Sequence, residues 1–180
     1  MVLVPMNRLQ KIREKLFQVP PEEYGEKYSD HLLAQYKTYL EMADRISARR
    51  QTAHSFFVTL NTAIIALVGY MNLGGENNVA LCGLIPIAGM ILCFMWYRLI
   101  RSYKDLNRAK FKVVHAIESK LPIAPFDGEW EAVERGKNPR LYLPFTRIEI
   151  CIPWIFFVVH FFVLLRCMPL VSAFESLYKR

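Results

Sequence analysis

Four polar residues lie inside long uncharged stretches of the 180-residue chain, and they are the first candidates for chemistry. Thr59, Asn61 and Thr62 fall in one stretch, and His160 falls in another. In an apolar environment such groups hydrogen-bond across a helix interface or line a water-filled path. Asn61 and the two threonines could therefore face a pore, but interhelical hydrogen bonding is the favoured interpretation. For His160 we expect a neutral imidazole bonded to a neighbouring helix rather than a pH-sensitive ligand.

The charged parts of the sequence show none of the constellations that enzymes use. There is no nucleophile paired with a base and no glycine-rich loop that could hold phosphate, and Glu129 and Glu131 are merely two acidic residues in a solvated segment. The cysteines lack CxxC or Cys/His spacing and are expected to be small apolar packing residues: Cys82, Cys93, Cys151 and Cys167. The sequence therefore predicts a protein that is not an enzyme and that holds no metal and no cofactor.

Five arginines flank the ends of two uncharged stretches and form a basic cluster: Arg45, Arg49, Arg50, Arg98 and Arg101. Anchoring at a membrane surface is the simpler interpretation, and binding of an anionic lipid head group is the more specific one. The chain has a formal net charge of +7. Because the basic residues are grouped around the apolar stretches, we expect contacts with membrane lipids and none with nucleic acid.

The elements that must hold these residues are three membrane-spanning helices. Residues 56–71, 79–97 and 150–165 carry no charged side chain. Each run is near the length that crosses a hydrocarbon core of about 30 Å at about 1.5 Å per residue. A soluble chain of this size would lack the polar shell needed to cover three such helices. We predict an all-α membrane protein with transmembrane helices at about 55–71, 79–97 and 150–165.

The first two spans are predicted to be the ends of much longer helices. No proline or glycine occurs from Asp30 until Gly69, and apolar residues recur at spacings of three and four, which favours one helix from Asp30 to Met71. A return helix is predicted from Val79 to Leu121. Together they would form a long antiparallel hairpin, whose part outside the membrane is a stalk of about 36 Å.

Aligning the two helices at the membrane boundary predicts their register. Residue n of the first helix should face roughly residue 152 minus n of the second. This alignment places Asp44 near Arg108, and Glu41 near Lys110 or Lys112. Such exposed pairs would fix the register more than they stabilise the fold, since each contributes only about 0–1 kcal/mol.

Two segments flank the predicted membrane domain at residues 30–165, and a long loop lies within it. An N-terminal segment, 1–29, contains an amphipathic helix at Met6–Val19 that would lie on the membrane or pack on the protein. Residues 122–148 form a loop outside the membrane with an acidic cluster: Asp127, Glu129, Glu131 and Glu134. Residues 166–180 form a C-terminal tail.

The distribution of lysine and arginine predicts the orientation of the first hairpin. Nine of these residues precede Ser55, none lies in 72–78, eleven lie in 98–148 and three follow Leu165. Because basic loops stay in the cytoplasm, the N-terminus and the stalk are expected there. The third segment would carry the C-terminus out if it spans the membrane, or return it if it is re-entrant.

Three stretches, taken together, resemble a known family. They are YLEMADRISARRQTAHSFFVTLNTAIIALVGY (Tyr39–Tyr70), WYRLIRSYKDLNRAKFKVVHAIESKLPIAPFDGEW (Trp96–Trp130) and PFTRIEICIPWIFF (Pro144–Phe157). They are similar to the RipA family of octameric bacterial inner-membrane proteins. The resemblance implies a homo-octamer in the bacterial inner membrane with links to envelope homeostasis and growth inside host cells, and it supplies no catalytic residues. The stalked hairpin also looks like the two-helix membrane effectors of phage-defence systems.

Two functions from different classes remain open on this evidence. The first is an oligomeric scaffold or adaptor whose stalk and acidic loop bind a cytoplasmic partner protein. The second is a channel or membrane-perturbing pore lined by Thr59, Asn61 and Thr62, such as a phage-defence effector. No charged residue lies centrally in any predicted span, which counts against an ion-coupled transporter. An enzyme acting on lipid is the least favoured class.

Overall fold

The computed structural model describes residues 8–73, 79–143 and 145–167, and within these ranges the chain is helical and contains no β-strand. The two longest helices have 46 and 40 residues. The helices in chain order are α1 (Arg8–Leu16), α2 (Pro21–Tyr24), α3 (Tyr28–Leu73), α4 (Val79–Glu118), α5 (Pro125–Ala132) and α6 (Phe145–Cys167), with a short 3-10 turn at Glu134–Gly136. The predicted all-α fold with two long adjacent helices is confirmed.

The long helices end close to where their sequence signals predicted. Helix α3 begins at Tyr28 and ends at Leu73, two residues beyond the predicted helix on either side. Helix α4 ends at Glu118, three residues before the predicted end, and a turn follows in which the Leu121 N–H donates to the carbonyl of Glu118. A residue that precedes a proline is disfavoured in helical geometry, and Pro122 follows this turn directly.

Three of the described helices are long and apolar enough to cross a membrane. The third, α6, has 23 residues, which corresponds to about 34 Å of helix. It begins at Phe145, five residues before the predicted third span, and therefore includes Glu149. The predicted tail beyond Cys167 and the residues before Arg8 lie outside the described ranges.

The chain divides into two compact units, and α3 and α4 each contribute to both. The first, here called the polar unit, contains the described residues of 1–48 and 104–143. The second, the membrane unit, contains the described residues of 49–103 and 144–180. Each unit has its own buried contacts, and each is described separately below.

The core of the polar unit forms around Tyr36, Val114 and Ile117. Partly buried apolar side chains from α1, α3, α4 and the α5 segment pack against them: Leu16, Leu32, Tyr39, Leu40, Val113, Leu121 and Phe126. Leu16 lies on the apolar stripe predicted for the N-terminal helix. Of the two predicted roles for that stripe, the structure places Leu16 on the protein.

Register in the polar unit differs slightly from the predicted alignment. The Tyr36 hydroxyl donates a hydrogen bond to Glu118 Oε1 at 2.9 Å. Residue n of α3 therefore faces roughly residue 154 minus n of α4, and Asp44 lies opposite Lys110 instead of Arg108. Among the described residues, no ion pair within 4.0 Å joins Asp44 to Arg108, or Glu41 to Lys110 or Lys112. Instead the Lys110 ammonium lies 4.6 Å from the centre of the Tyr39 ring, a cation–π contact.

One buried carboxylate ties α5 to the rest of the polar unit. Glu118 is 1% exposed, and its Oε1 accepts hydrogen bonds from Tyr36 and from the Phe126 N–H at 3.0 Å. Its Oε2 accepts from the Asp127 N–H at 3.2 Å, and His115 Nδ1 lies 3.4 Å from the same oxygen. Glu118 thus satisfies free N–H groups in the first turn of α5, which no side-chain cap covers.

Replacing Glu118 by alanine should release α5. The Tyr36 hydroxyl and two backbone N–H groups would lose their acceptor, which we expect to destabilise the polar unit by about 2–4 kcal/mol. Hydrogen exchange measured by mass spectrometry should show faster exchange at Phe126 and Asp127. Glu129→Ala, which removes an exposed carboxylate from the same helix, is the control. Unchanged protection in Glu118→Ala would contradict this role.

Candidate functional site

The membrane unit is organised around one buried face on each of three helices. On α3 this face is formed by Arg50, His54, Phe57 and Asn61; on α4 by Gly89, Cys93, Trp96 and Ile100; and on α6 by Glu149, Pro153, Phe156 and His160. In each set the residues follow one another at spacings of four, three and four. This spacing keeps side chains on one side of a helix.

Two cross-helix contacts define how α3 and α6 are aligned. Arg50 lies beside Glu149, and Asn61 bonds His160, 99 positions away in the sequence. The contacts occur 11 residues apart on both helices, so α6 runs parallel to this part of α3. Helix α4 runs antiparallel to α3, because Asn61 contacts Cys93 whereas the earlier Phe57 contacts Trp96.

Asn61 joins all three helices through its side-chain amide. Its Oδ1 accepts hydrogen bonds from Cys93 Sγ at 3.2 Å and from His160 Nε2 at 3.0 Å. Its Nδ2 donates to the Phe57 carbonyl one turn earlier at 2.8 Å, which fixes the orientation of the amide. The imidazole must then carry a proton on Nε2. None of the three side chains is more than 1% exposed.

Gly89 provides the space that brings His160 into this network. A Cβ atom on Gly89 would overlap the imidazole ring of His160. Small residues allow helices to approach closely in membranes, and here the close approach places a polar ring in hydrogen-bonding range of Asn61.

The three residues predicted to face a pore or a helix interface are separated by the structure. Asn61 lies at the interface of the three helices, whereas Thr59 and Thr62 are exposed on another face of α3. A pore lined by these residues would therefore depend on the two threonines, because the Asn61 amide is occupied within the protomer.

A second polar cluster, formed by Arg50 and Glu149, lies about three helical turns from Asn61, and it was not predicted from the sequence. Glu149 is 2% exposed, and its Oε1 lies 3.8 Å from Arg50 Nε. The predicted loop ended at residue 148 and the predicted third span began at Ile150, so Glu149 was assigned to neither. The signal that could have found it is its spacing of eleven residues from His160, which places both on one face of α6.

Aromatic rings fill the space between the two polar clusters. The Phe57 and Trp96 rings are stacked, with centroids 5.7 Å apart. His54 lies 5.1 Å from the Trp96 ring and Phe156 lies 6.0 Å from it. Trp96 has no exposed surface, and it therefore acts as the central packing residue of the membrane unit.

The predicted basic cluster is not uniform. Arg45 belongs to the polar unit, and the other four arginines belong to the membrane unit. Arg49, Arg98 and Arg101 are exposed, as a site for anionic lipid head groups requires. Arg50 is largely buried beside Glu149, with 21% of its side chain exposed, so it is a partner of a carboxylate inside the protein.

An exposed acidic and aromatic surface, here called the acidic face, lies on the polar unit. It consists of Asp127, Glu129, Trp130 and Glu131 of α5 together with Tyr142, whose ring packs edge-on against Trp130 at 6.4 Å. Arg135 donates to Glu131 at 2.6 Å. This hydrogen bond raises the pKa of Arg135 above its ordinary value. The acidic face combines negative charge with an exposed tryptophan.

The described residues offer no group of three or more His, Cys, Asp and Glu side chains that could hold a metal ion. Cys93 is a buried free thiol, and Cys151 is exposed. Cys82 and Cys167 are among the residues whose side chains are not described.

Comparison of the sequence with known protein families gave a match. Residues 33–169, which include most of α3 and all of α4 and α6, match the family model of the octameric membrane protein family (8xMP). The chain belongs to this family. Searches of curated proteins and of solved structures gave no match.

Membership of the octameric membrane protein family bears on two of the predictions. The family's name describes octameric self-assembly in a membrane, which agrees with the predicted homo-oligomer and the three candidate spans. The narrower likeness to the RipA family stays a prediction. So do the bacterial inner membrane and the cytoplasmic N-terminus.

Substitution of Gly89 by alanine tests the close contact of α4 with His160. Alanine favours a helix over glycine by about 1 kcal/mol, but the clash with an imidazole held by Asn61 should cost about 1–3 kcal/mol. We therefore expect a lower thermal unfolding midpoint for the purified octamer in detergent. Gly83→Ala, on the same helix with open space around its Cβ position, should be neutral or stabilising. Equal midpoints for the two variants would contradict the packing described here.

Proposed function

We propose that this chain is a non-enzymatic scaffold of the bacterial inner membrane, a homo-octamer whose polar unit lies in the cytoplasm and binds a partner protein through the acidic face. The observation that carries the proposal is the buried Glu118 carboxylate, which holds the first turn of α5 through two backbone N–H groups. A surface segment fixed in this way is ready to bind without first being ordered.

Preorganisation favours binding because a segment that is already ordered loses little conformational entropy when a partner docks. Helix α5 has only eight residues and no buried residue of its own. A helix of this length is not stable alone in water. The buried Glu118 of the polar unit thus holds α5 in place, although most side chains of this short helix are exposed to solvent.

The chemistry of the acidic face indicates the kind of partner. Tryptophan and tyrosine are enriched among residues that dominate protein interfaces, and Trp130 is 38% exposed while Tyr142 is 40% exposed. The surrounding carboxylates would steer a basic surface toward these rings. A partner that carries lysine or arginine around an apolar anchor matches this arrangement.

Orientation and wider context rest on the sequence. The excess of lysine and arginine on both sides of the first hairpin supports a cytoplasmic polar unit. A role in envelope homeostasis or growth inside host cells is supported only by the resemblance to the RipA family, and the residues themselves indicate no reaction for it.

A pore is the second candidate, and it is favoured by the exposure of Thr59 and Thr62 in the membrane unit. Eight copies of α3 could direct these hydroxyls toward a central opening. We expect release of a small dye from liposomes containing the octamer if this is so, and Thr59→Val with Thr62→Val should reduce it. A dye-tight octamer would exclude this function.

Photocrosslinking in living cells tests the scaffold proposal. A photoreactive amino acid at position 130 should give an adduct with a second protein, and the same amino acid at Leu33, which is exposed elsewhere on the polar unit, should not. Glu129→Lys with Glu131→Lys should reduce the adduct at least about tenfold, since loss of about 1.4 kcal/mol of binding energy has that effect.

The matched control is Glu22→Lys with Glu23→Lys, which reverses two exposed charges on α2. It should leave the adduct and the octamer unchanged. The scaffold proposal fails if position 130 crosslinks only to other copies of this chain, or if both charge reversals have the same effect.

A further inference from the structure

Four buried polar atoms in the membrane unit have no hydrogen-bond partner: Arg50 Nε, His54 Nδ1, Trp96 Nε1 and Glu149 Oε2. Among the described residues only one other buried side-chain atom shares this condition, Asn107 Oδ1 in the polar unit. The concentration of unsatisfied groups at one place therefore requires an explanation.

The four residues come from three helices and form two contacting pairs, which are connected along α3. Arg50 and His54 are one turn apart on α3, and Arg50 Nε is 3.8 Å from Glu149 Oε1 of α6. The His54 ring is 5.1 Å from the Trp96 ring of α4. The site is built from the buried faces of the helices, since Trp96 and Glu149 are 0% and 2% exposed.

Leaving these groups unpaired would be costly. Each buried donor or acceptor without a partner costs about 1–3 kcal/mol, and proteins usually satisfy such groups with ordered water. The Arg50 and Trp96 atoms can only donate, the Glu149 oxygen accepts when it is ionised, and His54 Nδ1 does either according to its tautomer. Water both donates and accepts, so it matches this mixed set.

Two of the four side chains at the site, His54 and Glu149, are titratable. Helix α3 contributes Arg50 and His54, α6 contributes Glu149, and α4 contributes the uncharged Trp96. Within the described part of the membrane unit, Arg50–Glu149 is the one ion pair within 4.0 Å. The neighbouring Arg49, Arg98 and Arg101 are exposed.

We propose that Arg50, His54, Trp96 and Glu149 form a hydrated proton-binding site, in which bound water bridges the imidazole and the carboxylate. A proton taken up by Glu149 abolishes the ion pair with Arg50, and a proton taken up by His54 places a second positive charge beside Arg50. Either event weakens the contact of α6 with α3 at this end, while the bond from His160 to Asn61 holds the other end. This inference does not depend on the scaffold proposal.

The site is a binding site and not part of a proton path through the membrane. Phe57 of α3 and Phe156 of α6 lie between it and the polar cluster at Asn61, and both rings pack against Trp96. Apolar rings provide no groups for proton transfer, so exchange with solvent takes place on the side of Arg50.

Fluorescence of Trp96 provides a direct test, because a protonated imidazole quenches a neighbouring indole. Trp130→Phe and Trp154→Phe leave Trp96 as the single tryptophan in the full-length octamer, which would be studied in nanodiscs of defined lipid. Emission should fall reversibly as the pH is lowered from about 8 to about 5, the range in which histidine ordinarily titrates.

Single substitutions distinguish the contribution of His54 from that of Glu149. His54→Gln should abolish the change, and Glu149→Gln should shift its midpoint, because the substitution removes the carboxylate that the bound water joins to the imidazole. His31→Gln and Glu131→Gln, both in the polar unit, are the controls and should leave the midpoint unchanged. A pH-independent signal, or the same titration in His54→Gln as in the parent, overturns the proposal.

If His54→Gln fails to assemble, hydrogen exchange of the parent octamer provides a second test. After correction for the intrinsic effect of pH on exchange, residues 148–152 of the parent octamer should lose protection at pH 5 relative to residues 160–164. Equal protection of the two segments at both pH values overturns the proposal.

Discussion

The hydrogen bonds of the Asn61 amide are the interaction on which the membrane unit depends. Inside a bilayer, helices gain little from hiding apolar surface from one another, since the lipid is as apolar as the side chains. Packing alone therefore leaves the rotation of each helix weakly determined. One oxygen that accepts from Cys93 on α4 and from His160 on α6 removes that freedom.

Other features of the membrane unit follow from this constraint. His160 can reach Asn61 only because the facing residue of α4 is a glycine. With α6 held in that register, Phe156 lies against Trp96 and Glu149 lies beside Arg50. The two polar clusters differ in one respect: the Asn61 cluster is closely bonded, whereas the Arg50 cluster contains unpaired atoms. A site that responds to a ligand or a proton is expected where bonding is incomplete.

The polar unit uses a single buried acceptor in a comparable way. The Glu118 carboxylate accepts hydrogen bonds from Tyr36, Phe126 and Asp127 and thereby links α3, α4 and α5. The acidic residues of α5 itself lie on the surface. The position of these groups is what supports the proposed scaffold function.

Much of this fold could be predicted from the sequence, because uncharged length and apolar spacing are local properties. The long helices before and after residues 74–78 and the third span were found in this way, and interhelical bonding was favoured for Asn61. The roles of Glu118 and Glu149 were not found, since a single charged residue beside a helix end looks like any solvated residue. Their burial depends on which residues the facing helices supply. A register error of about two residues similarly displaced the ion pairs predicted for Asp44 and Glu41.

A double-mutant cycle between Asn61 and His160 tests the central claim most directly. The free energy of unfolding in detergent would be measured for Asn61→Leu, His160→Phe, the double variant and the parent. We predict that the two substitutions are not additive and that their coupling energy is about 1 kcal/mol, within the range of hydrogen bonds between membrane helices. Additive effects would mean that the bond does not hold the three helices together, and the account of the membrane unit would be wrong.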